Sequence, residues 1–242
     1  MEPEATPYPR MDPATRAGRS EHARELQGSL AAAGVQCIVM TTVDNAGITL
    51  YKTIPVARLE AVVARGVGIS PVFDAFLIDD STVPTSPLAV VNGDLRWLPD
   101  PFALRPLAAQ PGWAWAPVDK YVPSGDVFGN CQRAFARAME RRASDAGLDV
   151  LMAFEIECFV GVDDETPVPA HPGPAYSTTR FTQMAPLIQD IMVALEAQEL
   201  GVDVMHSERG QGQLEVSVRA STPVAAADTQ VLVRQTIRSI VA

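Results

Sequence analysis

An alternation of apolar and polar residues in the second half of the chain predicts a β-strand over residues 149–160. β-Branched and aromatic residues dominate this stretch, which favours a buried strand. Successive side chains of a strand point to opposite faces, so Glu155 and Glu157 share one face. Two neighbouring carboxylates on an apolar strand repel each other and are costly to bury, so we expect a cation to bind them.

A second alternating stretch lies further along the chain and carries two more carboxylates. Residues 213–219 predict a strand with one wet face that includes Glu215, and Glu208 shares a face with His206 on the preceding segment. If the two stretches pair, four carboxylates converge, and oxygen ligands of this kind suit Mg²⁺ or Mn²⁺. The alternative is that these acids are exposed and pair with arginines such as Arg209 and Arg219.

The remaining pattern alternates helices with strands. Four prolines in residues 1–20 indicate a flexible tail, and residues 21–122 and 123–242 form the two predicted domains. The predicted helices span 21–33 (with Ser20 as N-cap), 58–67, 131–146, 181–198 and 222 onwards, and the further predicted strands span 35–43, 48–54 and 202–206.

Composition excludes several classes of protein. A net charge of −10 disfavours nucleic acid as a partner. No apolar run reaches the length of a membrane span, and the N-terminus lacks a signal pattern, so we expect neither membrane insertion nor secretion. Three widely spaced cysteines fit no zinc motif, and their odd number argues against a disulfide framework. These features predict a cytoplasmic protein.

The motif residues resemble those of a known family. Glu-x-Glu on a strand, followed by Glu-x-Gly-x-Gly-Gln-x-Glu at residues 208–215, is similar to the glutamine synthetase family, and the likeness runs from about residue 36 to 242. The resemblance implies an α+β fold, in which an N-terminal β-grasp domain precedes the first part of a catalytic domain built on an antiparallel sheet with helices.

The resemblance also implies an activity. Family members use ATP to activate the γ-carboxyl group of glutamate, which ammonia or a small amine then attacks. By resemblance, Glu157, Glu208 and Glu215 hold one divalent cation, while Glu155 contributes to a second. That second cation also needs a histidine and a glutamate that this sequence lacks, so we expect its site to be open. His206 is interpreted as a supporting or structural residue. No Walker-type phosphate loop is present.

Further residues match family positions with assigned roles. Asp74 and, less closely, Asp94 resemble aspartates that attract and deprotonate ammonium, Tyr176 resembles an aromatic residue near the nucleotide, and Gln211 and Gly212 lie where the glutamate pocket is shaped. The alternatives are turn chemistry for the aspartates and surface packing for the tyrosine.

The sequence departs from the ammonia-using members after Phe73-Asp74. Those members have Gly-Ser-Ser, whereas this chain has Ala75-Phe76-Leu77. Bulkier apolar residues suit an alkyl or hydroxyalkyl amine, which indicates a γ-glutamyl ligase of the polyamine or ethanolamine type.

Missing family residues predict that this chain is an incomplete enzyme, inactive alone. Family members assemble as stacked rings, so we expect a homo-oligomer. One alternative is a non-catalytic truncated homologue that binds metal or a partner subunit. A metal-dependent hydrolase is disfavoured, because the sequence has only three histidines.

Overall fold

A computed structural model describes residues 10–89, 93–162 and 168–241. The chain divides into two compact units, of which the first comprises residues 1–107 and 111–149 and the second residues 108–110 and 150–242. Each unit has its own sheet and buried core. The fold is mixed α/β.

The first unit contains a six-stranded sheet with helices. Its strands are β1 (Cys37–Val43), β2 (Thr49–Pro55), β3 (Val67–Ile69), β4 (Leu95–Pro99), β5 (Arg105–Pro106) and β6 (Trp113–Tyr121). Its helices are α1 (Pro13–Ala32), α2 (Leu59–Arg65) and α3 (Gln132–Asp145), with short 3₁₀ turns at Val56–Arg58 and Pro71–Asp74.

Strand β6 organises this sheet, whose order is β2-β1-β6-β4-β3, with β5 also paired to β6. It pairs parallel with β1 and antiparallel with β4 and β5. Trp97 on β4 and Trp115 on β6 are almost fully buried. The indole nitrogen of Trp115 donates a hydrogen bond of 2.8 Å to Thr41 Oγ1, which satisfies its polar group inside the core.

The predicted hairpin at residues 35–54 is confirmed as β1 and β2. Asp44 accepts hydrogen bonds from the backbone N–H groups of Ala46 and Ile48 at 2.9 and 2.8 Å. Gly47 has φ of 81°, a conformation that glycine adopts without steric cost. These contacts fix the turn between the two strands.

Helix α1 begins earlier than predicted, at Pro13 rather than at Glu21. Asp12 is the N-cap, because its carboxylate accepts a 2.9 Å hydrogen bond from the backbone N–H of Thr15, and Pro13 occupies the first helical position. The predicted cap at Ser20 and the predicted flexible tail are therefore wrong for residues 13–20. The part of that tail at residues 1–9 lies outside the described residues.

The contact-based division after Asp149 differs from the predicted boundary at 122/123. The reason is that α3 packs on β6, and Arg133 and Arg137 of the helix form ion pairs with Asp119 of the strand. The predicted domains 21–122 and 123–242 stay a prediction.

The second unit contains a three-stranded antiparallel sheet of order β7-β9-β8. Its elements are β7 (Glu155–Phe159), α4 (Thr178–Ala197), β8 (Val202–Ser207), β9 (Gln213–Val218) and α5 (Pro223–Val241). Leu214 of β9 packs with Met184 and Ile188 of α4, so one face of the sheet is covered by this helix.

Strand β7 is shorter than the predicted strand at 149–160. Apolar residues of its first part, such as Leu151 and Phe154, are 69% and 43% exposed, and Met152 forms only an isolated bridge to Ser221. Apolar composition therefore predicted a longer buried strand than the sheet provides.

Within the described residues, no helix combines the length and the apolar character that crossing a membrane would require.

Candidate metal centre

Three polar residues lie side by side across the sheet of the second unit. Glu215 on β9 is directly opposite Glu157 on β7 and directly opposite His206 on β8. Residues in register on adjacent strands project to the same face, so the three side chains share one face. The predicted pairing of the two alternating stretches is confirmed.

The opposite face of this sheet is apolar. Leu214 and Val216 of β9 are fully buried, and Ile156 of β7 is nearly so. Alternation along each strand thus places the carboxylates on the side that α4 does not cover.

The tightest cluster on the polar face contains His206, Glu208 and Glu215. One ligand atom from each residue lies within 4.8 Å of the others. His206 Nδ1 is 3.5 Å from Glu208 Oε1, and His206 Nε2 is 3.7 Å from Glu215 Oε1. One imidazole and two carboxylates at this spacing are a donor set that can hold a divalent cation.

Local hydrogen bonds hold Glu208 in place. Its Oε2 accepts from the Tyr176 hydroxyl at 2.8 Å and from the backbone N–H of Arg209 at 3.0 Å. The Arg209 backbone bond, followed by the Tyr176 bond, lowers the pKa of Glu208 below its usual value. The same contact raises the pKa of Tyr176, because its hydroxyl donates to a carboxylate. Glu208 therefore stays ionised and available to a cation at neutral pH.

Glu215 is the most buried of the four predicted metal-binding glutamates, at 8% exposure. Its Oε1 accepts a hydrogen bond of 3.0 Å from Ser217 Oγ. A carboxylate with so little access to water is stabilised by a bound cation more than an exposed one is.

Glu155 and Glu157 are both exposed. The Glu157 carboxylate accepts a hydrogen bond from the side-chain amide of Gln213, and Glu155, which precedes Glu157 by two residues on β7, lies opposite Ser217. The structure therefore brings Glu208 and Glu215 together with His206, places Glu157 next to Glu215, and leaves Glu155 outside the tight cluster.

The alternative, in which Arg209 and Arg219 neutralise these acids, is not what the described residues show. Arg219 instead pairs with Asp203 at 3.4 Å, and Arg209 contacts Glu208 through its backbone.

Arg180 of α4 shapes the loops beside the cluster. Its side chain is buried, and its nitrogens donate to the carbonyl oxygens of Gly173 at 2.6 and 3.0 Å, Glu208 at 2.6 Å and Gly210 at 2.9 Å. A single guanidinium thus joins the loop before α4 to the turn that carries Glu208. This contact was not predicted from the sequence, because an arginine near a helix start gives no local sign of burial.

Gly212 sits in a close backbone contact within the same turn. Its φ is 74°, and a Cβ atom there would lie 2.7 Å from the carbonyl oxygen of Val160. Its own carbonyl oxygen accepts a 2.8 Å hydrogen bond from Val160 N–H. Gln211 is exposed beside it. The predicted roles of Gln211 and Gly212 in binding substrate stay predictions.

Tyr176 is 61% exposed and has φ of 56°. Its ring centroid is 6.0 Å from that of His206. The structure thus places this predicted nucleotide contact next to the carboxylate cluster. Its role toward a nucleotide stays a prediction.

The predicted catalytic aspartates belong to the first unit. Asp74 is buried and forms an ion pair with Lys120, which also donates to Gln132 Oε1 at 3.2 Å. A role toward an external amine would require Lys120 to release this carboxylate. Asp94 is exposed next to Gly68. Both catalytic roles stay predictions.

Comparisons with known proteins identify one family and two curated relatives. Residues 129–242 match the family described as glutamine synthetase, catalytic domain. Over 232 residues the chain is 47% identical to gamma-glutamylpolyamine synthetase GlnA3 of Streptomyces coelicolor, a match that covers 94% of this chain and 50% of that protein. It is also 26% identical over 222 residues to protein fluG of Emericella nidulans, covering 86% of this chain and 25% of fluG.

Solved structures share the fold of this chain. A crystal structure of a novel glutamine synthase homolog superposes with a TM-score of 0.76 at 32% identity, covering 85% of this chain and 48% of that one. A GmaS/ADP complex superposes with a TM-score of 0.73 at 20% identity, covering 89% and 48%, which shows the shared fold. The chain spans about half the length of GlnA3 and a quarter of fluG.

Proposed function

From the premise that this chain belongs to the glutamine synthetase family, we propose that it is part of an ATP-dependent ligase that joins the γ-carboxyl group of glutamate to an amine. The observation that carries the proposal is the cluster of His206, Glu208 and Glu215 on the open face of the second sheet, inside the matched catalytic region. In this reading glutamate is activated as γ-glutamyl phosphate and an amine then displaces phosphate.

We assign the first cation to Glu157, Glu208 and Glu215. A divalent cation bound there would neutralise charge on the phosphate oxygens of ATP. The protein's own contribution is to fix its carboxylates before a ligand arrives. Tyr176 and the Arg209 N–H hold Glu208, Ser217 holds Glu215, and the strands set the spacing between them.

We place His206 beside this cation, because its ring nitrogens lie close to the carboxylates of Glu208 and Glu215. We place Glu155 at the edge, toward a second cation. Tyr176 is proposed to meet the nucleotide, and Gln211 with Gly212 to border the glutamate pocket. Asp74 and Asp94 are proposed to act on the amine.

For the amine we propose a polyamine or another alkylamine. Two observations favour this choice: the 47% identity to a gamma-glutamylpolyamine synthetase and the apolar residues that follow Asp74, namely Ala75, Phe76 and Leu77. A pocket with apolar walls favours the methylene groups of such an amine over ammonia.

The remaining family features are proposed with the function. The first unit corresponds to the β-grasp domain, for which the β1–β2 hairpin and the parallel β1–β6 pair are the support. The complete enzyme is proposed to be a cytoplasmic homo-oligomer of stacked rings. Residues 1–242 alone are proposed to be inactive.

The metal assignment is tested by titrating the chain with Mn²⁺ and following free Mn²⁺ by electron paramagnetic resonance. Glu215→Gln should weaken binding at least about tenfold, because it removes a charged oxygen ligand. The matched control is Glu196→Gln, an exposed carboxylate on α4, which should bind Mn²⁺ as the parent does. Equal affinities in all three proteins would refute the site.

The activity is tested separately with glutamate, MgATP and a series of amines. We expect a protein that contains this sequence within the full length of its relatives to form γ-glutamyl amides faster with putrescine or spermidine than with ammonia. A clear preference for ammonia would refute the polyamine assignment. Product formation by residues 1–242 alone would refute the proposed inactivity. Mn²⁺ binding without turnover in the longer protein would favour the non-catalytic alternative.

A further inference from the structure

A row of arginines runs along one face of α3 in the first unit. Arg133, Arg137 and Arg141 are spaced four residues apart, so their side chains project to the same side of the helix. Like charges at this spacing destabilise a helix unless anions neutralise them. Among the described residues, Arg133 and Arg137 have aspartate partners, whereas Arg141 has none.

Two buried aspartates face the row. Asp119 of β6 is paired with Arg133 at 3.2 Å and with Arg137 at 3.0 Å. Asp100, directly after β4, is paired with Arg133 at 2.8 Å and with Arg19 of α1 at 3.3 Å. Arg19, Arg133 and Arg137 are thus held by these two carboxylates within the first unit.

Arg19 has an unused donor in this cluster. The residue is 8% exposed, its Nη1 donates to Asp100 and its Nη2 donates to the Pro99 carbonyl oxygen at 2.9 Å. Its Nε is buried and has no hydrogen-bond partner among the described residues. A buried donor of this kind costs free energy until an acceptor is supplied.

Arg141 is the exposed end of the row. Within the described part of the chain, its side chain makes no hydrogen bond or ion pair, whereas Arg137 one turn earlier is held by Asp119. A charge at this position is free to contact a ligand.

A cavity of about 360 Å³ opens beside these groups. Its charged lining comprises four arginines and two aspartates, namely Arg10, Arg19, Arg137, Arg141, Asp100 and Asp119, and Tyr121 also contributes. Burial, followed by the charge of Asp119, raises the pKa of Tyr121 to about 12, so its hydroxyl is protonated at neutral pH. A volume of this size holds a small metabolite.

We propose that this cavity binds a small oxyanion, a phosphate or carboxylate group, with Arg137 and Arg141 as the contacting side chains. The planar guanidinium fork matches the paired oxygens of both groups, and the charge of Arg141, which lines the cavity without an anionic partner among the described residues, favours an anion. The site lies wholly in the first unit, and the inference does not rest on the proposed ligase activity.

The test is isothermal titration of the metal-stripped chain with inorganic phosphate in one arm and glutamate in the other. We expect one of them to bind, and Arg141→Ala to weaken that binding roughly tenfold by removing a charge-assisted contact. Arg142→Ala is the matched control, since Arg142 is also exposed on α3 but does not line the cavity, and it should bind as the parent does.

Further variants separate this site from the carboxylate cluster. Arg137→Lys keeps the charge but loses the fork and should also weaken binding, with circular dichroism confirming that it folds. Glu215→Gln should bind the anion as the parent does, because Glu215 belongs to the second unit.

Absence of binding in both arms, or equal binding by the parent and Arg141→Ala, would overturn the proposal. Binding in the phosphate arm alone would identify the ligand class as phosphate, and in the glutamate arm alone as carboxylate.

Discussion

Lys120 donates a hydrogen bond to the carboxylate of Asp74, and the two side chains are only 2% and 3% exposed. Gln132 accepts from the same ammonium group at 3.2 Å, and its own amide donates to Asn45 at 3.0 Å. The pair therefore sits within a hydrogen-bonded network in the first unit. Either charge alone in this place would be strongly destabilising.

Replacing Lys120 by methionine should destabilise the first unit by about 3–5 kcal/mol, because Asp74 then remains as an unpaired buried charge. The measurement is urea unfolding followed by tryptophan fluorescence. The double variant Asp74→Leu with Lys120→Met should recover most of the loss, since no unpaired charge remains.

The matched control for this prediction is an exposed ion pair in the same unit. Arg24 and Glu60 are 2.7 Å apart, with side chains 65% and 36% exposed. Arg24→Ala should lower the free energy of unfolding by less than about 1 kcal/mol. If Lys120→Met lowered the free energy of unfolding by as little as Arg24→Ala does, the buried pair would have little effect on stability.

Arg180→Lys should weaken Mn²⁺ binding although Arg180 is not a proposed ligand. A lysine cannot reach the carbonyl oxygens of Gly173, Glu208 and Gly210 together, so the turn that carries Glu208 loses its support. We expect a loss of at least about 2 kcal/mol in the free energy of unfolding, since hydrogen bonds to charged groups contribute about 1.5–3 kcal/mol each.

The control for Arg180 is Arg234→Lys on α5, whose side chain makes no hydrogen bond or ion pair with the described residues of that turn. It should leave Mn²⁺ affinity unchanged. Normal affinity in Arg180→Lys would show that the strands alone position the carboxylates.

Protonation of Asp100 at low pH should lower the stability of the first unit. Burial raises the pKa of this carboxyl group, but the charges of Arg133 and Arg19 outweigh burial and lower the pKa below its usual value of 3.8. A lowered pKa in the folded state gives stability that is fully present above pH 3.8 and is lost as pH falls through the folded value.

This pH dependence is measured as the free energy of unfolding between pH 6 and pH 3. The asparagine in Asp100→Asn cannot ionise. We therefore expect the free energy of unfolding of this variant to be lower than that of the parent at pH 6, and to decrease less steeply toward pH 3. Parallel curves for the two proteins would show that other carboxyl groups cause the acid unfolding.

Much of the candidate site could be predicted from the sequence, because strand alternation is a local property. The period of two at residues 213–219 gave the correct face for Glu215, and it also gave the buried face of Leu214 and Val216. The hairpin turn at Asp44 and Gly47 was equally local.

Other features depend on contacts between distant residues and left no local signal. Lys120 meets Asp74 across 46 positions, and Arg180 meets Glu208 across 28. The start of α1 did have a local signal, Asp12 followed by Pro13, but the surrounding prolines favoured interpretation as a tail. The true length of β7 depends on how many partners β9 offers, which the apolar residues 149–154 do not reveal.

The parallel pairing of β1 with β6 has a consequence for how the protein forms in the cell. Residues 37–41 find their partners at 113–117, so a long intervening segment must be closed before the central strand is in place. On the ribosome, the first hairpin must wait with one edge unpaired until β6 has been synthesised. This interval is when the nascent chain is most exposed to aggregation through that edge.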